Sequence, residues 1–414
     1  MTKRDVDVVV VGGGPAGCIA ALVLARGGAR VVMVDKCSFP RDKACGDLVG
    51  PRGLALLATL GLHPPGGRQV GEMVVVGPTG HRVVLPARAG RTFPGHGLAI
   101  TRLRFDQWLH GVAIDAGVES VTARMTSMHD RTIELHDGRH LTADIVIGAD
   151  GATSGVAEAA GLVDRRRVLW GFATRGYVVQ DVERPVIALW DEVPGVGFPG
   201  YGWLFPGEGG VANVGLGIGL RADRQAASRA VARLDDFGEH LRRLGILTAS
   251  LDVRRLGGWL KMGMVGTLPA REDVLLVGDA AGLVNPLQGE GIAPAMVSGA
   301  AAADAVLAGP SDAAARYRQV LACGPGRYAL ATAPLHAAAI SGSPRRVSRV
   351  GRLITARGVG RAIASPWAVL WNDLIEGSPP GPATIAARTA AMLGRAAGSF
   401  TVVHEQLSAD LLGD

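Results

Sequence analysis

Two stretches of this 414-residue chain carry side chains able to move a proton. The first is "FPRDKACGDLVGPR", residues 39–52, where Cys45 stands between turn-forming residues. A thiol there can act as a general acid, its acidity tuned by Lys43 and Asp47, or can be a small buried hydrophobe in a tight loop. The second is "PGYGWLFPGEGGVANVGLGIG", residues 199–219. Tyr201, Trp203 and Phe205 alternate there, ahead of Pro206, so an extended strand puts the three rings on one face. That face reads either as the wall of an apolar site or as an aromatic ladder inside a sheet. The Tyr201 hydroxyl is a second candidate proton donor. What these groups do depends on what the rest of the chain brings beside them.

The strongest positioning signal lies at the start. "DVDVVVVGGGPAGCIAALVLARGGARVVMVDK" reads as a buried strand, a turn, a helix and a second strand ending in Asp35. Gly12, Gly14 and Gly17 have the G-x-G-x-x-G spacing. The first glycine permits the tight turn, the second lets backbone approach a pyrophosphate, and the third packs helix on strand. The helix N-terminus faces phosphate, and Asp35 can accept from a ribose hydroxyl. Further on, "LTADIVIGADGATSG" ends an apolar strand at Asp150, and "REDVLLVGDAAGLVNPLQGEGIAPAMVSG" runs from a strand through Gly278 and Asp279 into a helix.

Together these three pieces resemble the FAD-binding fold of the p-hydroxybenzoate hydroxylase-like superfamily. The resemblance implies noncovalent FAD. Asp279 would take the flavin ribityl chain, and the "LQGEGI" turn would lie at the flavin's pyrimidine edge, where a helix N-terminus stabilises negative charge. Arg102, in "AITRLRFDQWL", matches an arginine near the FAD. The cofactor set implied is Gly12, Gly14, Pro15, Ala16, Gly17, Asp35, Lys36, Arg41, Cys45, Gly46, Arg102, Asp150, Gly278, Asp279, Pro286, Gly289, Gly291 and Ile292. NADPH-using hydroxylases of this superfamily carry D-G-x-x-S-x-x-R. Here Ala157 stands in the place of that arginine, leaving NAD(P)H or a ferredoxin-type partner open as electron donor.

Taken with "PRDKACGD" and "GDAAGLVNPLQGEGI", the Y-x-W-x-F-P motif resembles the geranylgeranyl reductase family over about residues 5–300. The resemblance implies reduction, or the reverse desaturation, of carbon–carbon double bonds in a hydrophobic isoprenoid or polyene-like substrate. Tyr201, Trp203, Phe205 and Pro206 would contact that substrate. In the family, P-x-x-x-x-C-G places a cysteine near the flavin's reactive face, and Pro40 to Gly46 has that spacing. Cys45 would then supply the proton, with Tyr201 as the alternative. "CGDLVGPR" departs from the more usual C-G-D-G. Two other readings stand beside this one: an FAD monooxygenase tailoring a hydrophobic natural product, and a non-enzymatic flavin electron carrier, which needs no deep apolar pocket. Halogenases share a W-x-W-x-I-P strand but need a lysine at the substrate, and only Lys3, Lys36, Lys43 and Lys261 occur here.

Composition narrows the partners. The net charge is +6, but the excess is arginine without interleaved stacking aromatics, which argues against nucleic acid. The four cysteines lack C-x-x-C or zinc spacing, the ten histidines form no ligand cluster, and no metal is expected. No leader or spanning segment stands out, giving a cytoplasmic expectation. The run "PRRVSRVGRLITARGVGR" at 344–361, with six arginines, reads as a solvated face or as an interfacial helix at a membrane surface. The expected fold is α/β (α+β overall). A Rossmann-like FAD-binding domain would come from residues 1–70, 88–165 and 266–310. A β-sheet substrate domain would come from 71–87 and 166–265, and a helical C-terminal region from 311–414.

Overall fold

The computed structural model describes residues 6–85, 94–190, 200–220, 231–251, 254–286 and 288–324. Beyond these it describes residues 332, 333, 336, 349, 351–353 and 355–358. The strand Val6–Val11 is an apolar run, and it lies at the centre of a parallel sheet, as such runs require. His140–Gly148 and Val31–Asp35 flank it, with Val274–Leu276 and Glu119–Thr122 outside them. Met125–His129, Thr132–Leu135 and His140–Gly148 form an antiparallel meander that turns at Asp137–Gly138. The helix Pro15–Arg26 follows the central strand and packs on helices Arg102–Asp115 and Ile292–Leu307. This is a Rossmann-like FAD-binding fold within a mixed α/β chain.

A second sheet has seven strands in the order Leu256–Met262, Leu169–Val179, Val211–Leu220, Tyr201–Phe205, Val186–Ala188, Met73–Val76 and Arg82–Leu85. All but one of its neighbouring pairs are antiparallel, and the helix Leu234–Arg243 covers its back through Phe237 and Leu241. The strand Tyr201–Phe205 pairs with Val211–Leu220 so that Trp203 lies opposite Gly215. That glycine is obligatory: a Cβ there would lie 2.3 Å from Trp203 Cζ2. A three-stranded sheet, Leu48–Val49, Gly97–Ala99 and Arg68–Val70, joins the two larger units.

The C-terminal helices begin as Ile292–Leu307 and Ala313–Cys323. Most of the later region, including more than half of the basic run at 344–361, lies outside the described residues. Among the described residues no helix is long and apolar enough to cross a membrane.

Candidate active site

The dinucleotide end is built as the glycine spacing requires. Gly12 has φ +109°, and a Cβ on Gly17 would lie 1.8 Å from the Gly12 oxygen, so the helix can approach the strand only without one. Gly14 is the N-cap, Pro15 opens the helix, no side chain caps that end, and Ala16 and Gly17 are buried in its first turn. Asp35 Oδ2 accepts from Gly13 N at 2.7 Å, and Lys36 is exposed beside it. An uncapped helix start, backbone without side chains and an acid at the end of the second strand fit the pyrophosphate and ribose of FAD.

A cavity opens between this unit and the seven-stranded sheet. Pro15, Arg102 and Asp279 line it from the nucleotide side, with Pro286, Gly289, Gly291 and Ile292 at the start of the helix Ile292–Leu307. Gly278 lies behind Asp279 in a short 3₁₀ turn. Asp150 is not brought to the cavity. Its Oδ2 accepts from Val156 N at 3.1 Å, supporting the helix Gly155–Ala159, and its Oδ1 is buried without a partner. Pro206 is buried just beyond the strand and also stays off the cavity.

Cys45, Gly46, Tyr201, Trp203 and Phe205 line the same cavity. The three rings share a face, with centroids 6.2 Å apart for Tyr201–Trp203 and 6.1 Å for Trp203–Phe205. Burial pushes the Cys45 thiol up from its usual pKa. The Arg102 charge and the Asp47 amide act in the other direction. The net effect keeps the proton on sulfur at neutral pH, as a general acid needs. The Tyr201 hydroxyl donates to the Gln288 carbonyl, and burial raises its pKa further still.

Arg102 is a buried helix residue that donates two hydrogen bonds to Asp106, from Nε to Oδ1 and from Nη2 to Oδ2, each 2.6 Å. Arg41 reaches the same carboxylate at 3.2 Å and Asp35 at 3.4 Å. A continuous string of charges thus joins Asp35 to the arginine beside Cys45. Asp106 was missed from the sequence, although its i,i+4 spacing from Arg102 is a helix-pair signal.

A second missed group holds the cysteine loop. Asn213 Nδ2 donates to Cys45 O and to Asp47 Oδ2, both at 2.8 Å, while its Oδ1 accepts from Trp203 Nε1 at 2.8 Å. Tyr177 OH donates to Asp47 Oδ2 at 2.6 Å, and Arg102 N to Asp47 Oδ1 at 3.1 Å. Asp47 is 4% exposed and holds φ +58°, a left-handed conformation that needs such support. Arg175 continues the network, stacked 4.4 Å over Tyr177 and bound to Asp42.

Lysine is rare but not absent from the site. Lys43 lines the cavity with Nζ 3.7 Å from Asp279 Oδ2, so scarcity alone does not set the halogenase reading aside. Lys261 is 1% exposed, and burial lowers its pKa from the usual 10.5 to about 8, against the opposing pull of Asp150 and Asp279. The unfolded chain therefore binds more protons between those values, and stability rises with pH across that window. Lys261→Met is expected to stabilise the protein by ~3 kcal/mol below pH 8. The gain should fade toward pH 10.5 in thermal melts of variant and wild type. A gain that does not depend on pH would show that the lysine's charge is not the cause.

Cradle, cavity and aromatic wall together define an FAD-dependent oxidoreductase. Residues 5–66 match the FAD binding domain family. The chain is 35% identical to the menaquinone reductase of Mycolicibacterium smegmatis over 73% of its own length and 76% of the relative's. It is 32% identical to digeranylgeranylglycerophospholipid reductase 2 of Methanopyrus kandleri, over 71% and 75%. A geranylgeranyl bacteriochlorophyll reductase-like structure from Thermoplasma acidophilum shares the fold, with TM-score 0.70 and 23% identity over 94% of this chain and 99% of that one. The chain belongs to the geranylgeranyl reductase family of FAD-dependent oxidoreductases.

Proposed function

We propose that this protein reduces a carbon–carbon double bond in a long apolar, isoprenoid-type substrate, with Cys45 as proton donor. The observation that carries this is that Cys45 lines one cavity together with three aromatic rings and with residues that would hold the flavin; burial pushes its thiol pKa up. FAD, when bound noncovalently, supplies a two-electron reducing equivalent at this cavity. The chain supplies the rest. Tyr201, Trp203 and Phe205 hold an apolar chain and exclude water, with Met73, Leu48 and Ile187 completing the wall. Cys45 Sγ holds the proton for the second carbon. Arg102 and the Asp47 amide stabilise the thiolate left behind. Solvent access to the cavity mouth then restores the thiol.

The site residues fall into two groups in this reading: the Gly12-to-Arg41 end binds the nucleotide, and the Cys45–Tyr201 end handles substrate. Ala157 offers no cation for a nicotinamide phosphate, which favours a ferredoxin-type reductant over NADPH. Four unpaired cysteines support a cytoplasmic setting, and a lipid substrate would bring the protein to a membrane surface.

Anaerobic mixing of the reduced protein with prenyl alcohols, from farnesol to geranylgeraniol, tests the reaction. Rapid flavin reoxidation with a product two mass units heavier is expected. Oxygen-dependent turnover to a hydroxylated or epoxidised product would instead establish the monooxygenase. Failure of every alkene to reoxidise the flavin, with fast exchange to a redox protein, would establish the carrier.

A further inference from the structure

Gly217 is half-buried and lines the cavity, and the fold around it does not call for a glycine. Its φ is not positive, and a Cβ there would meet nothing nearer than Trp203 Cζ3 at 3.8 Å, an ordinary contact. Gly215, two residues earlier on the same face, is the contrast, since its Cβ would strike the Trp203 ring. A glycine inside a strand weakens it, so one that neither backbone nor packing needs marks a place where something else approaches the sheet. Strand register shows what flanks it. Tyr201 stands opposite Gly217, Gly217 opposite Ala173, and Ala173 opposite Gly258. Residues directly opposite one another share a face, and all four line the cavity. They form one row across four neighbouring strands, ending at the edge strand Leu256–Met262. Three interstrand spacings make the row about 14 Å long. The Trp203 ring, lying over Gly215, bounds it on one side, and Leu260, next after Gly258 on that face, bounds it on the other. Between them runs a trough floored by two glycines and an alanine, with an aromatic ring at one end.

We propose that the apolar chain of the substrate lies across the sheet along this row, and that the missing side chain at Gly217 lets long chains pass beyond Tyr201. The inference rests on the apolar-substrate reading above and names the path its chain takes. Tyr201 marks the reacting end, because Cys45 lies close enough to act electrostatically on its hydroxyl. A short chain is held there by the rings alone. A longer one must cross Gly217 and Ala173 to reach Gly258, where any added Cβ takes up room the chain needs. One methyl group in a filled apolar site is worth about tenfold or more in discrimination. Gly217 is thus a specificity-determining residue, retained at a cost to the strand.

The test reads binding and stability rather than turnover. Oxidised FAD-bound protein is titrated with geraniol, farnesol and geranylgeraniol in the same detergent, following the flavin absorbance. Wild type is expected to bind more tightly along that series. Gly217→Ala should weaken geranylgeraniol about tenfold and leave geraniol nearly unchanged, while its melting temperature stays level or rises because the strand gains a better residue. A firmer fold with a weaker long-chain complex is a pairing that a purely structural glycine does not give. Ala173→Val, one strand further along the row, should show the same dependence on length. Equal weakening of all three alcohols, or no weakening of geranylgeraniol in either variant, overturns the proposal. So does a lower melting temperature in Gly217→Ala, which would return the glycine to the fold. Wild type that binds all three equally, yet is reoxidised by them anaerobically, sinks the path and keeps the reductase reading. Length-dependent binding without alkene reduction does the reverse.

Discussion

Cys45→Ser is expected to slow reoxidation of the reduced protein by a prenyl alkene by about 10²-fold or more, the scale of a lost general acid. FAD affinity and the flavin spectrum should barely change, because the nucleotide cradle from Gly12 to Asp35 does not involve the thiol. Cys45→Ala should match Cys45→Ser, since a serine hydroxyl is a far weaker acid than a thiol. The upward push on the Cys45 pKa sets the pH profile. A group that must be protonated and titrates late keeps the rate level through neutral pH, and the rate falls only as alkali removes the thiol proton. That alkaline limb should vanish with the cysteine. Tyr201→Phe is the decisive companion: its hydroxyl already donates to Gln288 O, so the loss should be small while the ring keeps its place. Normal turnover in both cysteine variants with a dead Tyr201→Phe would make the phenol the acid.

How much of this site was legible in the sequence follows the range of the interactions. The G-x-G-x-x-G cradle was readable because its constraints are local: the clash between Gly17 and Gly12 spans five residues of chain. The aromatic wall was readable because a strand's period of two puts alternate residues on one face. What lay across from it was not. Strand register decides that Gly215 faces Trp203 and Asn213 faces Phe205, and no local pattern states the register. The clamp on Asp47 joins residues 130 and 166 positions away. At Asp150 the motif shows a local role: its side chain accepts from Val156 N in the turn into the next helix.

Asn213 tests whether the long-range clamp matters to chemistry or only to folding. Asn213→Leu strands three groups at once: Trp203 Nε1, the Cys45 carbonyl and one bond of the Asp47 carboxylate. At about 1–3 kcal/mol for each buried group left unmade, a loss of several kcal/mol and a clearly lower melting temperature are expected. The Cys45 loop should also drift, lowering the alkene-dependent rate at least tenfold, since a displaced donor loses its alignment with the acceptor carbon. Asn213→Asp separates position from bulk. It keeps an acceptor for the indole but sets a second carboxylate against Asp47, and two buried carboxylates that close share a proton. Burial already raises the Asp47 pKa, so the pair should take up that proton readily as pH falls. Stability and rate should therefore recover toward acid in Asn213→Asp and stay low at every pH in Asn213→Leu. FAD affinity is the readout that a general folding defect would move and a positioning defect would not. If both variants lose flavin in proportion to rate, Asn213 only holds the fold. If rate falls while flavin stays bound, the asparagine sets where the Cys45 proton is delivered.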